Sequence, residues 1–335
     1  MKKNIAILMA LIIAVCSLTF TSCSSAKKEI KKEKTYASEI ENLKIFDSSV
    51  KDAMPQTVVH KIITEHFNAP LPEGKKTKKA IFLGFDGFRA DGLENIKDNK
   101  ESAIMYIKNQ GGLYHTFSGG IPDVNEQATS TAPSWMAMLT GGWGEYNGIT
   151  DNNQMKKENV DTFLTTLAKQ GHTGSFTTSW REHTALSYQP DIANSIKNNI
   201  PIEYTHQIDD MATYYQVLKY VSKPQGVTKT AQQDPDAIFF TLEFTDHAGH
   251  ETGFGNQNEA YVKACKDIDS YGYDIIKTIE ERSTYAEEDW LIVISTDHGG
   301  TKLNHGGQTP FERMTWLATN KKLDITDEYK NYALS

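Results

Sequence analysis

The chain has 335 residues, 39% of them hydrophobic and 23% charged, which suits a globular protein of one large domain or two small ones. Its 35 Lys and Arg against 43 Asp and Glu give a formal net charge of −8, and this argues against the basic face that binding a nucleic-acid duplex requires. Of its three cysteines, Cys16 and Cys23 lie at the extreme N-terminus and Cys265 stands alone, so there is no disulfide framework.

In chain order, Lys2 and Lys3 precede an apolar stretch over residues 5–18, and Phe20-Thr21-Ser22-Cys23 follows. A basic start, a short apolar core and small residues before a cut form a secretory signal, and the stretch is too short to span a bilayer comfortably. The ending resembles a bacterial lipoprotein signal, in which Cys23 becomes the lipidated N-terminus; the alternative is an ordinary signal peptide with a chance cysteine. The expected organisation is a signal over 1–22, a polar tether over 23–45 and one folded domain over 46–335. The expected location is the outer face of a bacterial envelope membrane, periplasmic or extracellular, reached through a lipid anchor. Lysines over 27–34 are interrupted by glutamates, which reads as a solvated linker.

Element types over 45–74 are ambiguous. Lys79-Ala80-Ile81-Phe82-Leu83-Gly84-Phe85 reads as a buried strand ending at Asp86-Gly87. A helix through Ala103, Ile104 and Ile107 breaks at Gly111-Gly112, and a strand over 113–117 follows. The segment Thr131-Ala132-Pro133-Ser134-Trp135 opens a helix with Thr131 at the N-cap, Pro133 in the first turn and Gly141 at the end. Unsatisfied N–H groups there favour an anion. A helix through Val160, Phe163, Leu164, Leu167 and Ala168, stopped by Gly171, leads to a strand over 174–180, and Ile208, Met211, Ala212 and Tyr215 suggest another helix. Ala237-Ile238-Phe239-Phe240-Thr241-Leu242-Glu243-Phe244 is again a buried strand, followed by Asp246-His247-Ala248-Gly249-His250. Asn256 with Glu259 resembles a capping box opening a long helix; Cys265 falls on its apolar stripe as a core residue. The run Trp290-Leu291-Ile292-Val293-Ile294 stops at Asp297-His298-Gly299-Gly300, His305 follows, and 314–319 reads as a last strand. Strands alternating with helices predict an α/β fold with a mainly parallel sheet.

Three buried strands thus end in Asp86, in Asp246 with His250, and in Asp297 with His298, while His305 adds a ligand and Thr131 a hydroxyl. Such groups past the carboxyl ends of parallel strands sit where open α/β sheets keep their sites. Three Asp and three His form the donor mix for two zinc-like divalent ions. In order, Asp86-Gly87-Phe88-Arg89, Thr131-Ala132-Pro133, Asn147-Gly148-Ile149-Thr150-Asp151-Asn152, Asp246-His247-Ala248-Gly249-His250, Asp297-His298-Gly299 and His305-Gly306 resemble the signature of the alkaline phosphatase superfamily. The nearest branch is the type I phosphodiesterases and nucleotide pyrophosphatases, and the likeness runs over about 79–319. It implies a three-layer sandwich, a mainly parallel sheet flanked by helices. It also implies Asp86, Thr131, Asp297 and His298 around one metal, Asp246, His250 and His305 around another, and Asn152 donating to a phosphoryl oxygen.

The implied enzyme is a metal-dependent hydrolase of phosphodiester or pyrophosphate bonds, acting through a phosphothreonine intermediate on two divalent ions, zinc by donor type. Histidine ligands bind metal only when neutral, so activity should fall in acid. Thr131-Ala132-Pro133-Ser134-Trp135 lacks the Cys or Ser and the Arg of a sulfatase motif, and no arginine beside Thr131 marks a phosphomonoesterase. Competing readings are a phosphomonoesterase, a phospho-head-group transferase or sulfatase-like relative, and a non-catalytic ligand-binding surface lipoprotein. Trp135 and Trp180 are candidates to contact a small phosphate ester or nucleotide-like substrate; Arg89 and Arg181 are phosphate contacts or structural ion pairs. After Thr319 the chain is short and polar where relatives usually continue.

Overall fold

The computed structural model describes residues 53–222 and 233–323, all within one compact unit, Lys44–Ser335. The expected signal, the tether and Cys23 lie outside the described residues. Among these, no helix is long and apolar enough to cross a membrane.

The strands are β1 (Met54–Pro55), β2 (Thr77–Phe85), β3 (Gly112–Phe117), β4 (Gly174–Thr178), β5 (Ile202–His206), β6 (Ala237–Leu242), β7 (Glu288–Ser295) and β8 (Met314–Thr319). They make one sheet in the order β1-β3-β8-β7-β2-β6-β4-β5. Every pairing is parallel except the two made by β8, with β3 and β7. The central strands β7, β2 and β6 are buried on both faces, which is why they read as unbroken apolar runs.

Alternation along β2 sorts the two faces. Ala80 and Phe82 point to one side with Ala237, Phe239, Leu291 and Val293, where they meet α1 (Val58–Asn68), α3 (Thr131–Thr140) and α5 (Phe163–Lys169). Rings stack across the strands there: Phe82 to Phe239 at 4.9 Å and Phe239 to Phe176 at 4.9 Å. Gly84 continues this face, and a Cβ there would stand 2.7 Å from the Trp135 ring, so α3 lies directly on β2. On the other face, Gly272 of α9 (Glu259–Glu280) lies against Phe85 and Leu83, and α9 packs with α2 (Ala103–Gln110) and α7 (Asp210–Val221). Helices on both faces of a mainly parallel sheet make the expected three-layer sandwich.

The elements that escaped the sequence reading include β1 and α1, the short helices α4 (Gly144–Asn147) and α10 (Pro310–Arg313), and the peripheral pair α6 (Gln189–Asn198) and β5. They also include α8 (Phe244–Thr252), whose first residue the sequence assigns to the strand before it. The residues α6 buries are Asp191 and Ser195, and β5 is an edge strand with one buried residue, so neither carries an apolar period. Two caps also move. Ser130, not Thr131, is the N-cap of α3, and Thr131 is its first helical residue. Asn258, not Asn256, caps α9 by accepting from the Ala260 N–H, while Asn256 donates to the Asp91 carbonyl. Gly141 closes α3 at φ +73°, as the sequence predicts.

A buried carboxyl joins α9 to α2. Asp269 is fully enclosed and accepts from the Ile104 N–H at 3.0 Å. Burial pushes its pKa up to about 7. The folded chain therefore holds a proton that the unfolded chain, with an ordinary Asp near 4, has released. Stability from this group is present below pH 4 and is lost as pH rises towards 7, on the order of 4 kcal/mol in all at about 1.4 kcal/mol per unit. Asn keeps the acceptor without the charge. In urea melts, Asp269→Asn should gain on the wild type between pH 5 and pH 8; a constant difference would refute the buried-acid account.

Candidate metal centre

The loop after β2 is fixed at every backbone N–H. Asp86 donates to the Leu242 carbonyl, Gly87 to Asp297 Oδ1 at 3.1 Å, Phe88 to Thr296 Oγ1 at 3.0 Å and Arg89 to Tyr261 Oη at 2.9 Å. Gly87 takes φ +67°, and a Cβ on it would stand 2.9 Å from the Cα and Cβ of Asp246. Only glycine fits both constraints, so this residue lets the β2 and β6 strand ends close on one another.

Asp246 and His250 lie on α8 (Phe244–Thr252), the helix that leaves β6. Four residues apart, they share a face, and His250 Nε2 sits 3.3 Å from Asp246 Oδ2. His305 arrives from the other side, its Nε2 3.5 Å from Asp246 Oδ1 and 3.0 Å from His250 Nε2. After β7, the Nε2 of His298 lies 3.3 Å from Asp297 Oδ2 and 3.5 Å from Asp86 Oδ1. The rings of His298 and His305 stack at 3.9 Å, so the two halves touch.

Each imidazole is oriented through its other nitrogen. Nδ1 of His250, His298 and His305 faces the carbonyl of Leu303, Gly299 and Thr129, at 2.8, 2.7 and 3.2 Å. A carbonyl only accepts, so Nδ1 carries the proton and Nε2 presents a lone pair.

The atoms facing inward are the ones left over. Asp86 Oδ1, Asp246 Oδ1, Asp297 Oδ2 and His298 Nε2 are buried without a hydrogen-bond partner. Burial and the charges of Asp297 and Asp246 hold the Asp86 carboxyl far above the carboxylate range, and burial does the same to Asp297. Burial also acts upwards on Asp246, but the imidazoles of His250, His298 and His305 outweigh it and bring this acid below its ordinary value. The His298 ring is driven to about 3 by burial and by His305 beside it. Burial lowers His305 as well, while Asp246 raises His250. Carboxylates crowded against imidazoles whose Nε2 atoms face inward are the donor set for divalent cations, and the residues present fit them. Two groups have all ligand atoms within 4.8 Å of one another: Asp246, His250 and His305; and Asp86, Asp246 and His298. Asp246 thus belongs to both, where the sequence reading gave it to one; Asp297 stands beside His298.

Thr131 opens α3 at this same carboxyl edge. Trp135 lies one turn further along the same helical face, and its indole N–H donates to Asp86 Oδ2 at 3.0 Å. The threonine is therefore aligned with Asp86. Asn152 Oδ1 accepts from the Ala132 N–H at 2.9 Å, which leaves its Nδ2 as a donor at the helix start. That bond consumes one of the N–H groups expected to receive an anion, and Pro133 has none to give.

Trp135, expected to contact substrate, is wholly enclosed beside Phe82 and Phe239 and has no face to offer a ligand. It holds a carboxylate instead. Trp180 is half-buried two residues past β4, edge-on to His183 at 4.7 Å. Arg89 chelates Asp91 through Nε and Nη2 and donates to the carbonyls of Gly300 and Phe254, a structural role. Arg181 is exposed. The link from Gly299 to His305 turns on Lys302, at φ +56° between the paired Thr301 and Asn304. Gly299 and Gly300 are needed for space, since Cβ atoms there would meet the Phe311 carbonyl at 2.0 Å and the Phe254 ring at 2.5 Å.

Trp135→Phe is expected to weaken metal binding about 10- to 100-fold, because it leaves Asp86 Oδ2 buried and unpaired. Calorimetric titration of the metal-stripped protein measures this; unchanged affinity would show that the indole only packs.

A mainly parallel sheet between helix layers, with acids and imidazoles gathered at its carboxyl edge, defines an alkaline phosphatase-like architecture. Residues 80–335 match the type I phosphodiesterase / nucleotide pyrophosphatase family, and the chain belongs to that family. It is 22% identical over 235 residues to bis(5'-adenosyl)-triphosphatase of Xenopus laevis, covering 68% of this chain and 48% of the relative. The chain thus spans about half the length of that curated relative. Among solved structures it is similar to a 2-O GAG sulfatase, with TM-score 0.50, 12% identity, and coverage of 76% of this chain and 66% of the other. Murine ectonucleotide pyrophosphatase / phosphodiesterase 5 aligns with TM-score 0.45 and 18% identity, over 67% of this chain and 57% of its own.

Proposed function

We propose that this protein hydrolyses phosphodiester or pyrophosphate bonds, with Thr131 as nucleophile beside a two-metal site. What supports this reading is that the helix Thr131 opens carries Trp135, which donates to Asp86, and Ala132, which donates to Asn152 Oδ1, while Asp86 lies in one of two candidate ligand groups that share Asp246. Divalent ions, zinc by the mixed N/O donors, would be held by Asp86, Asp246, His250, Asp297, His298 and His305, and would supply Lewis acidity and charge neutralisation.

Thr131 Oγ1 attacks phosphorus, its proton passing to solvent, and forms a threonine phosphoester while the bond to the leaving oxygen breaks. That oxygen departs with the electron pair, taking a proton from water as it needs one. Asn152, pinned through Oδ1, turns Nδ2 towards a phosphoryl oxygen and stabilises the charge that grows there. Water then cleaves the Thr131 ester and regenerates the alcohol. Asp86 keeps its orientation through Trp135, and the imidazoles keep theirs through the carbonyls on Nδ1. Trp180 is the aromatic we assign to the leaving-group side.

The reading is tested by turnover of bis-p-nitrophenyl phosphate against p-nitrophenyl phosphate, with and without chelator. We expect the diester to be preferred and the activity to vanish with chelator and return with zinc. Preference for the monoester would move the reading to a phosphomonoesterase, and no chelator-sensitive turnover of either would end the hydrolase reading.

A further inference from the structure

Asn152 sits in a stretch, residues 148–162, that forms neither helix nor strand. Its position must therefore come from side chains, and some of these are local. Gln154 Oε1 accepts from the Thr150 and Asp151 N–H groups, and Asp151 Oδ1 accepts from the Asn152 N–H. These bonds shape the loop but tie it to nothing outside itself.

On its near side the loop is tied to the segment before α3, where the Ala128 N–H donates to the Thr150 carbonyl at 3.1 Å; on its far side the tie is Lys156, four residues past Asn152 and 3% exposed. A lysine so enclosed needs partners for its ammonium. It donates to the carbonyls of Lys157, at 3.0 Å, and Val160, and lies 3.3 Å from Asp191 Oδ1. Asp191, itself 4% exposed, occupies the first turn of α6. The Lys156 backbone N–H donates at 3.1 Å to the Ser187 carbonyl, at the end of a π-helical turn, His183–Ser187, that runs into α6. One residue thus fastens the loop twice, by backbone and by charge, to a single rigid element. Burial outweighs the pull of the Lys156 ammonium and leaves the Asp191 carboxyl raised to about 6, still below neutral pH. With the ion pair gone, the near end would stay held at Thr150 while the far side of the loop loosens and Asn152 swings away from Ala132.

We propose that Lys156, through its buried ion pair with Asp191, is a positioning residue that holds Asn152 against the start of α3. Its catalytic consequence rests on the role given to Asn152 above; its structural content does not. Asp191→Asn, nearly isosteric, tests the same pair should Lys156→Met fold poorly.

Two readouts decide it. Deuterium exchange at the Ala132 amide, whose N–H donates to Asn152, should quicken in Lys156→Met and in Asp191→Asn; unchanged exchange in both would overturn the proposal. For turnover of the diester, Lys156→Met should lower kcat/KM about 10-fold in the wild-type background and less than about 2-fold in an Asn152→Ala background, the non-additivity of residues acting as a unit. An equal loss in both backgrounds would show that Lys156 acts independently of Asn152, against the proposal. Full activity of Asn152→Ala would instead remove the role given to Asn152, and the exchange result would still decide whether Lys156 positions it.

Discussion

Thr131→Ala is expected to fold, to retain metal at Asp246, His250 and His305, and to lose diester turnover by about three orders of magnitude or more, the scale seen when a nucleophile is removed. The substitution deletes the hydroxyl and one methyl group and leaves the backbone unchanged. Alanine suits the first turn of α3, and the cap there is Ser130, so helix stability should hardly change. The Asn152 bond to the Ala132 N–H is a backbone contact and survives, as does the Trp135 bond to Asp86. Activity should therefore fall without a matching fall in melting temperature or in affinity at the outer ligand group. Retention of more than about a tenth of wild-type activity would remove Thr131 from the chemistry while leaving the metal centre standing.

The second large effect belongs to Asp246. Its two oxygens face different partners, Oδ2 towards His250 and Oδ1 towards His305, and it also completes the group of Asp86 and His298. Asp246→Ala should empty both groups, with less than about a tenth of wild-type metal after dialysis, whereas His250→Ala should spare the inner one. The same carboxylate adds to the repulsion that raises Asp86 and Asp297. The imidazoles of His250, His298 and His305 nevertheless hold this acid below its ordinary value, so removing it should leave the metal-free protein less stable than the metal-free wild type, as well as poorer in metal. Elemental analysis with thermal melts under chelator reads both. Full metal content in Asp246→Ala would show that the two groups are held independently.

These residues were legible to different degrees, for physical reasons. Strands β2, β6 and β7 are buried on both faces and so spell unbroken apolar runs, which exposed Asp86, Asp246 and Asp297 as the charges after them. What failed to show were roles that residue type conceals. Trp135 looks like core or a stacking surface, and only its position one turn from Thr131 hints that its N–H orients Asp86. Lys156 reads as one more loop lysine because its partner, Asp191, comes from a helix without an apolar stripe. Asp246 could be recognised as a candidate ligand, but its place in both candidate groups depends on Gly87 allowing two strand ends to meet, a three-dimensional fact. Thr131 was placed one residue early at the cap because Ser130 and Thr131 are both good capping types.

The central claim is that a protein side chain, not water, makes the first bond to phosphorus. Its most direct test is the stereochemical course of hydrolysis of a chiral phosphorothioate diester in oxygen-18 water. Each in-line displacement inverts the centre, so attack by Thr131 followed by attack of water predicts net retention. Net inversion would mean a single displacement by water and would contradict the account.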